Sequence, residues 1–396
     1  MKGIPFVSDQ VGIVRIVHVT DGYEPRLGGI ERQVHDLAER QASGGHDVRI
    51  VTAVAGPSRD GAVAVRRPRS RAAGSRIRYE WAYHGCGRRL YSKADVVHLH
   101  ASTWSPLAFL SLGTAVRAGV PAVATLHSLW DYATPLFKAA DRLTRWSKWP
   151  VIWSAVSHVA AEPLVELVGP EVTVHVVPNG VDPAEWAKPC AQRGDAAFRV
   201  VSVGRLAARK RPMPLLKILR DARALLPSDV QLEAVLIGDG PARPALERYL
   251  ARHGMLAWVR LPGALDRDAI AAELARADAY AAPATLESFG IAALEARCAG
   301  LPVIGHAKCG LADFIEHDRE GLLGDGDAAM TRNLTRLASE PDLLRRITAH
   351  NRSVAPPVNW TRVLRSWDDL YEQAAALPHR HRGSPPRNTV AEDPPR

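Results

Sequence analysis

Cysteine is scarce in this sequence. Only Cys86, Cys190, Cys298 and Cys309 occur, with no close pair and no metal-ligand spacing. That excludes a disulfide-stapled scaffold and points to reduced thiols in a cytosolic protein. No apolar run approaches the length of a membrane span. The run from Val11 to Val19 is too short and too interrupted for a secretion signal. No internal repeat is present. Acidic residues are the minority, 42 against 51 Lys and Arg, giving a net charge of +9. Such a surplus asks for an anionic partner: a nucleotide, a phospholipid surface or a nucleic acid. What remains is ordinary for a globular chain, with 46% hydrophobic and 23% charged residues over 396 positions, enough for two or three domains.

Short apolar runs alternate with helical stretches. In the first half, runs at 13–19, 48–53, 95–100 and 121–127 read as buried strands. In the second half the corresponding runs lie at 198–206, 232–237, 279–282 and 301–304. Apolar runs separated by helices predict parallel, doubly wound sheets. Ile30, Val34, Leu37 and Ala38 share one helical face. Gly28 and Gly29 stand before that helix, so its free N–H groups meet a phosphate, or the glycines simply make a tight turn. Residues 183–197 lack periodicity and read as a linker. A last helix is expected at 359–376, followed by a tail from 377 rich in Pro, Arg and His that reads as disordered.

The densest chemistry lies between Pro283 and Gly300. Glu287 sits in a loop after a strand, and Glu295 sits on the next helix with seven residues between them. Two glutamates in such a place are either solvated or turned toward a ligand at the carboxyl edge of the sheet. Gly290 lets a backbone approach a ligand closely, and Gly300 suits a helix C-terminus. Arg205 and Lys210 follow another strand five residues apart. Such a pair, Arg as a fork and Lys as a point charge, suits an anionic ligand. His127 ends a strand, where an imidazole either caps the strand or meets a ligand. His98 and His100 share a strand face, but no acidic or thiol partner is near in sequence, and no metal is expected there. Residues 135–149 form an amphipathic, Trp-containing segment. From Arg66 to Lys93 the chain carries nine cations (Arg66, Arg67, Arg69, Arg71, Arg76, Arg78, Arg88, Arg89 and Lys93) against Glu80. That run is either a solvated surface or a dock for anionic headgroups or a phosphorylated acceptor.

Glu-x7-Glu with Ser288-Phe289-Gly290 after the first Glu resembles the donor signature of the retaining nucleotide-sugar glycosyltransferases of family 4. Five further segments follow that family's order: Gly28-Gly-Ile-Glu-Arg32, Thr125-Leu-His127, Val174-His-Val-Val-Pro-Asn-Gly-Val-Asp182, Gly204-Arg-Leu…Lys210 and Gly238-Asp-Gly-Pro241. The resemblance spans residues 11–375. It implies the GT-B fold, two facing Rossmann-like domains of doubly wound parallel sheet with an interdomain cleft. An acceptor-side domain would occupy 1–182 and a donor domain 198–358, and the last helix would cross back to the first domain. It further implies transfer of a hexose-type sugar, with retention, from a nucleotide diphosphate sugar. His127 and Glu287 would contact the sugar, Arg205 and Lys210 the diphosphate, and Glu295 the ribose. Gly28, Gly29, Gly204, Gly263, Ser288, Phe289 and Gly290 would line the nucleotide-sugar site. No cofactor and no metal would be needed, because cations neutralise the diphosphate. The acceptor would be lipid-linked or anionic, reached at the inner membrane surface, with no nucleic acid. Three residues depart from the family pattern: Arg211 and Cys309 where glycines are usual, and Asp313 where Glu is usual.

Two other readings compete. One is an NAD-dependent dehydrogenase, suggested by Gly238-Asp-Gly240, but Arg243 occupies the third glycine position of that fingerprint. The other is a non-catalytic module for anionic surfaces, which leaves the ordered motifs unexplained.

Overall fold

The computed structural model describes residues 12–25, 28–67, 91, 93–130, 133–188 and 197–378. Among these residues two sheets form. The first contains β1 (Arg15–Thr20), β2 (Asp47–Thr52), β3 (Arg59–Asp60), β4 (Val63–Arg66), β5 (Val96–Ala101), β6 (Ala122–Leu126), β7 (Ile152–Ala155) and β8 (Val174–Val176). Its order is β3-β4-β2-β1-β5-β6-β7-β8, parallel except for the β3–β4 pair. The second contains β9 (Phe198–Val203), β10 (Leu232–Ile237), β11 (Val259–Gly263), β12 (Ala279–Ala282), β13 (Val303–His306) and β14 (Gly321–Gly324), in the order β11-β10-β9-β12-β13-β14, all parallel. Both sheets are doubly wound. Each reverses strand order once, between β1 and β5 and between β9 and β12, and ligands bind at the carboxyl ends of strands at such a point.

The helices in chain order are α1 (Gly29–Ser43), α2 (Pro106–Arg117), α3 (Thr134–Thr144), α4 (His158–Val168), α5 (Pro183–Trp186), α6 (Pro212–Leu225), α7 (Arg243–Arg252), α8 (Arg267–Leu274), α9 (Ile291–Cys298), α10 (Gly326–Ser339), α11 (Pro341–Ser353) and α12 (Trp360–Ala376). Parallel strands are covered on both faces, which is why β5 is buried at every position and reads as a continuous apolar run broken only by its histidines.

Helix α12 belongs to the first sheet's core although it comes last in the chain. Trp360, Val363, Leu364, Trp367, Leu370, Tyr371 and Ala374 are its buried residues, spaced as one helical face. They pack with Ile16, Ile50, Val96 and Val123 of the first sheet and with Val34, Leu37 and Ala38 of α1. Asn359 caps the helix by accepting from the Arg362 N–H at 3.0 Å. Gly180 is required there, because a Cβ would lie 2.5 Å from the Trp360 ring. The second sheet has its own core from Leu215, Leu216 and Leu219 of α6 with Val200, Leu236, Ala281 and Ile304. Cys298 and Cys309 are buried free thiols, and burial raises both, to about 12 and about 11. Cys86 and Cys190 lie outside the described residues, as does most of the basic run between Arg66 and Lys93. Of that run, Arg67 donates to the carbonyls of Pro57 and Val54 and covers the Tyr23 ring, so it serves the fold.

Candidate active site

At the switch point of the second sheet, the loops after β9 and β12 lie side by side. The first carries Gly204, Arg205 and Lys210; the second carries Glu287 to Gly290. Nζ of Lys210 lies 2.5 Å from Oε2 of Glu287, joining residues 77 positions apart. Glu287 is mostly buried, its side chain 16% exposed, and Lys210 is 44% exposed. Arg205 is exposed on the same loop, and among the described residues it has no ion-pair partner. Helix α9 begins beside them. Gly290, at φ 93°, forms its N-terminal boundary in the left-handed region, and a Cβ there would meet Leu311 at 2.5 Å. Helix α9 thus starts, with its open N–H groups, directly after the loop that carries Glu287.

The glycines of the loop after β10 have a structural explanation. A Cβ on Gly238 would lie 2.0 Å from the Gly204 carbonyl oxygen, and one on Gly240 would lie 2.5 Å from that of Leu206. Both are at positive φ, 135° and 157°. The pair lets this loop lie on the Gly204-Arg205-Leu206 backbone, a packing role that accounts for a Gly-x-Gly without a dinucleotide. Gly263, at φ 88°, completes the layer by accepting from the Gly238 N–H at 2.8 Å.

Arg211 stands where the family pattern has a glycine, and the backbone keeps the glycine-like shape: φ is 53° and ψ 43°, in the left-handed region. That conformation costs a non-glycine residue about 1–2 kcal/mol. The side chain offsets it. Its guanidinium meets both carboxylate oxygens of Asp327, at 2.8 and 2.9 Å, and lies 3.1 Å from the Pro283 carbonyl and from Nε2 of His306. Arg211 thus ties the Lys210 loop to the ends of β12 and β13 and to the start of α10.

The first domain closes over this site. A Cβ on Gly29 would lie 3.1 Å from Cδ1 of Ile291, so the Gly28-Gly29 loop abuts the start of α9. Gly28 is extended, at φ −179°, and its missing Cβ leaves room for the Glu31 carboxylate. Asp21 anchors the same loop by accepting from the Leu107 and Ala108 N–H groups at 3.0 and 3.1 Å. Ser288 donates to the His127 carbonyl at 2.7 Å, and the Ser157 hydroxyl donates to the Ser288 carbonyl. Asp313 accepts from the backbone N–H of His158, the first residue of α4, at 2.9 Å. Phe289 is buried against Phe314 with ring centroids 5.2 Å apart, so its side chain serves the core and only its main chain faces the loop. The His127 ring lines a small cavity with Gln33, His100, Asn179, Gly180 and Trp360.

Glu295 is the most perturbed acid at the site. Burial in the seam is the main cause, with Arg267 and Arg32 lowering its pKa and Asp36 and Glu185 raising it; the net effect brings it up to about 8. Glu185 meets both Arg40 and Arg267 across the seam. Of the residues named from the sequence, the fold brings Lys210 and Glu287 into contact, leaves Arg205 exposed on the Lys210 loop, and buries Glu295 on α9 in the seam. Sequence reasoning misses three groups: His18, Gln41 and Tyr371, which join the histidines; Asp327 and His306, which hold Arg211; and Ser157, which reaches Ser288. The one available signal is His18 itself, a polar residue inside an apolar strand.

Two facing doubly wound domains, with cations and carboxylates at the switch point of the second, define a GT-B architecture. The family profile "Glycosyltransferase Family 4" matches residues 27–185, and "Glycosyl transferases group 1" matches residues 191–354. The two matches together span both domains, and the chain belongs to this glycosyltransferase family. It is 26% identical over 387 residues to the Mycobacterium tuberculosis GDP-mannose-dependent alpha-(1-6)-phosphatidylinositol monomannoside mannosyltransferase, covering 91% of the chain and 97% of that protein. It is 24% identical over 385 residues to one component of the Arabidopsis thaliana phosphatidylinositol N-acetylglucosaminyltransferase, covering 93% of the chain and 83% of the relative. Among solved structures, Anabaena Alr3699/HepE with UDP and glucose superposes with a TM-score of 0.71 at 18% identity, covering 91% and 99%. Sucrose-phosphate synthase from Thermosynechococcus elongatus gives 0.70 at 20% identity, covering 91% and 98%. The protein is a glycosyltransferase; neither the dehydrogenase nor the non-catalytic reading finds support.

Proposed function

We propose that this glycosyltransferase moves a hexose-type sugar from a nucleoside diphosphate sugar to a hydroxyl of a lipid-linked acceptor, with retention and without a metal ion. The Lys210–Glu287 pair at 2.5 Å carries the reading. In a sugar diphosphate the sugar and the phosphate are bonded neighbours, so their binding groups must also be neighbours. Lys210 would take a phosphate oxygen and Glu287 a sugar hydroxyl, each exchanging its present partner for substrate. Arg205 and the start of α9 would add positive potential where the leaving diphosphate gains charge. Such fixed cations can do the work of a divalent ion. Glu295, ionised, would accept the ribose hydroxyls. His127 would stand on the acceptor side, near the reacting carbon.

The lipid-linked acceptor rests on two supports. The first is that the mycobacterial and Arabidopsis relatives are transferases named for phosphatidylinositol monomannoside and phosphatidylinositol. The second is helix α3, which presents Leu136 and Leu143, 61% and 88% exposed and two turns apart, in a surface that includes the exposed Lys138, Arg142, Arg145 and Lys148. Exposed apolar residues among cations suit an anionic bilayer surface. Among the described residues no helix is long and apolar enough to cross a membrane.

The test is a thermal-shift screen with UDP, GDP and ADP, followed by turnover with the matching nucleotide sugars in the presence of EDTA. A bound nucleotide stabilises by about 2.7 kcal/mol at a hundredfold excess over its Kd. The product anomer, read by NMR, decides retention. No stabilisation by any of the three would refute the donor assignment.

A further inference from the structure

Four imidazoles cluster against the first sheet, three of them in a hydrogen-bonded row, and the function proposed above uses only one. His18 is on β1, His98 and His100 are on β5, and His127 follows β6. Parallel register places His18 beside His98 and His100 beside Thr125, so these side chains share the face covered by α1 and α12. Nδ1 of His18 lies 3.0 Å from Nε2 of His100, and Nδ1 of His100 lies 3.0 Å from Nε2 of His127. At the far end, Oε1 of Gln41 is 2.7 Å from Nε2 of His18.

Burial disfavours the charged form of all four. It brings His18 and His127 down to about 4 and puts His98 and His100 well below the usual range. A neutral imidazole has one N–H and one lone pair, so each ring hands its polarity to the next. An amide oxygen only accepts. His18 therefore donates from Nε2 to Gln41 and accepts at Nδ1. His100 donates to it from Nε2 and accepts at Nδ1. His127 donates to His100 from Nε2 and keeps its lone pair on Nδ1. A second branch leaves the same amide. Nε2 of Gln41 donates to the Tyr371 hydroxyl at 3.1 Å, and that hydroxyl donates to Nδ1 of His98 at 2.9 Å. His98 then donates to Thr125 at 2.7 Å, and Thr125 to Ser154 at 2.7 Å. Both branches run without a clash of donors. Turning the Gln41 amide over would reverse every step in both.

We propose that Gln41, His18 and His100 are positioning residues that hold the His127 imidazole as its Nε2–H tautomer, leaving Nδ1 as a hydrogen-bond acceptor. The proposal rests on the reading of His127 as a group near the transferred sugar. An acceptor nitrogen there takes the proton of a hydroxyl; an N–H there would not. Ser288 holds the same residue from the donor domain through its carbonyl, so the ring is set from one side and the main chain from the other. The cavity it lines, about 20 Å³, has room for one water. Ring nitrogens of His18, His98 and His100 fall within 4.8 Å of one another, the spacing of a candidate cation site. Each of their six nitrogens already has a protein hydrogen-bond partner, which favours the relay over an ion.

The experiment is NMR of the full chain with 15N-labelled imidazoles, which reports the tautomer of each ring, together with steady-state kinetics on a nucleotide sugar. The wild type should show Nε2–H at His18, His100 and His127. Gln41→Glu offers His18 the same acceptor, so His127 should keep its tautomer and kcat should stay within about threefold; its carboxylate cannot donate to Tyr371, so His98 should reverse. Gln41→Leu removes the anchor. It should mix the tautomers of His127 and lower kcat about tenfold with KM little changed. An Nδ1–H tautomer at His127 in the wild type would overturn the proposal without any variant. So would an unmixed His127 in folded Gln41→Leu, or displacement of the His18, His98 and His100 signals by equimolar zinc. Wild-type turnover in His127→Asn, with the wild-type tautomers as expected, would instead remove the reading of His127 on which the proposal rests.

Discussion

Glu295 should make the stability of this protein depend on pH in a direction opposite to that of most carboxylates. Its pKa is raised from 4.5 to about 8, chiefly by burial where α9 meets the first domain. Below pH 4.5 the folded and unfolded chains both hold the proton. Between 4.5 and about 8 the unfolded chain has lost it and the folded chain keeps it. The folded state then binds more protons, so stability falls as pH rises through this window and levels off above it. At 1.36 kcal/mol per pH unit the full span is about 5 kcal/mol. Glu295 keeps part of its surface in water and has Arg32 and Arg267 near it, so roughly 2–3 kcal/mol is the expected change. Spread over the unfolding entropy of a chain this long, that is a fall in Tm of roughly 2–4 °C. Glu295→Gln preserves the shape and removes the titration. Melting both proteins from pH 5 to 8.5 should give curves that diverge, the wild type losing more than the variant. Parallel curves would refute the buried, protonated Glu295. The same proton should also be visible in calorimetry: nucleotide binding that ionises Glu295 releases it at pH 7, so the heat should vary with the buffer's ionisation enthalpy.

Arg205→Ala and Lys210→Ala should each lower turnover a hundredfold or more, about 3 kcal/mol of transition-state stabilisation; wild-type rates would remove the diphosphate assignment. Glu287→Ala should abolish transfer while leaving binding of the bare nucleoside diphosphate nearly intact, and equal calorimetric losses for nucleotide and nucleotide sugar would contradict its role. Arg211→Gly and Arg211→Ala both lose the Asp327 pair, but only Ala is strained by the left-handed conformation. The Gly variant should therefore be the more stable by about 1 kcal/mol in urea unfolding; identical midpoints would mean the backbone relaxes. Changing Leu136 and Leu143 to Ser should weaken co-sedimentation with anionic vesicles, and so should changing Arg66, Arg69 and Arg71 to Ser with Arg67 kept for the fold. Equal binding to neutral and anionic vesicles would leave both surfaces as ordinary solvated faces.

Much of the fold can be read along the chain. Short apolar runs, each followed by a loop and a helical stretch, dictate parallel strands whose carboxyl ends carry the polar residues. The apolar run of β12, the glutamate beyond it and the Ala-rich helix after Gly290 are such a unit, and so are β9 and the Gly-Arg-Leu that follows it. Arg211 is harder. Its sequence position suggests a lost backbone shape, yet the shape survives because Asp327, 116 residues away, holds the guanidinium. Phe289 reads as a site residue from its place in the motif; its ring instead fills the core beneath the loop.

Many of the strands and helices and their order are legible along the chain, because hydrophobic periodicity and turn chemistry act between residues a few positions apart, and the family resemblance rests on short motifs in order. What the buried polar groups do depends on contacts made across the fold. His98 and His100 are visible as neighbours on one strand, but their partners come from β1, α1, β6 and α12. Gln41 and Tyr371 meet across 330 positions. Only the sheet register puts His18 beside His98. Only the closing of one domain on the other buries Glu295 and raises its pKa. Inside a protein an imidazole or carboxylate takes its charge and its proton from whatever is packed against it, and those neighbours lie across the fold.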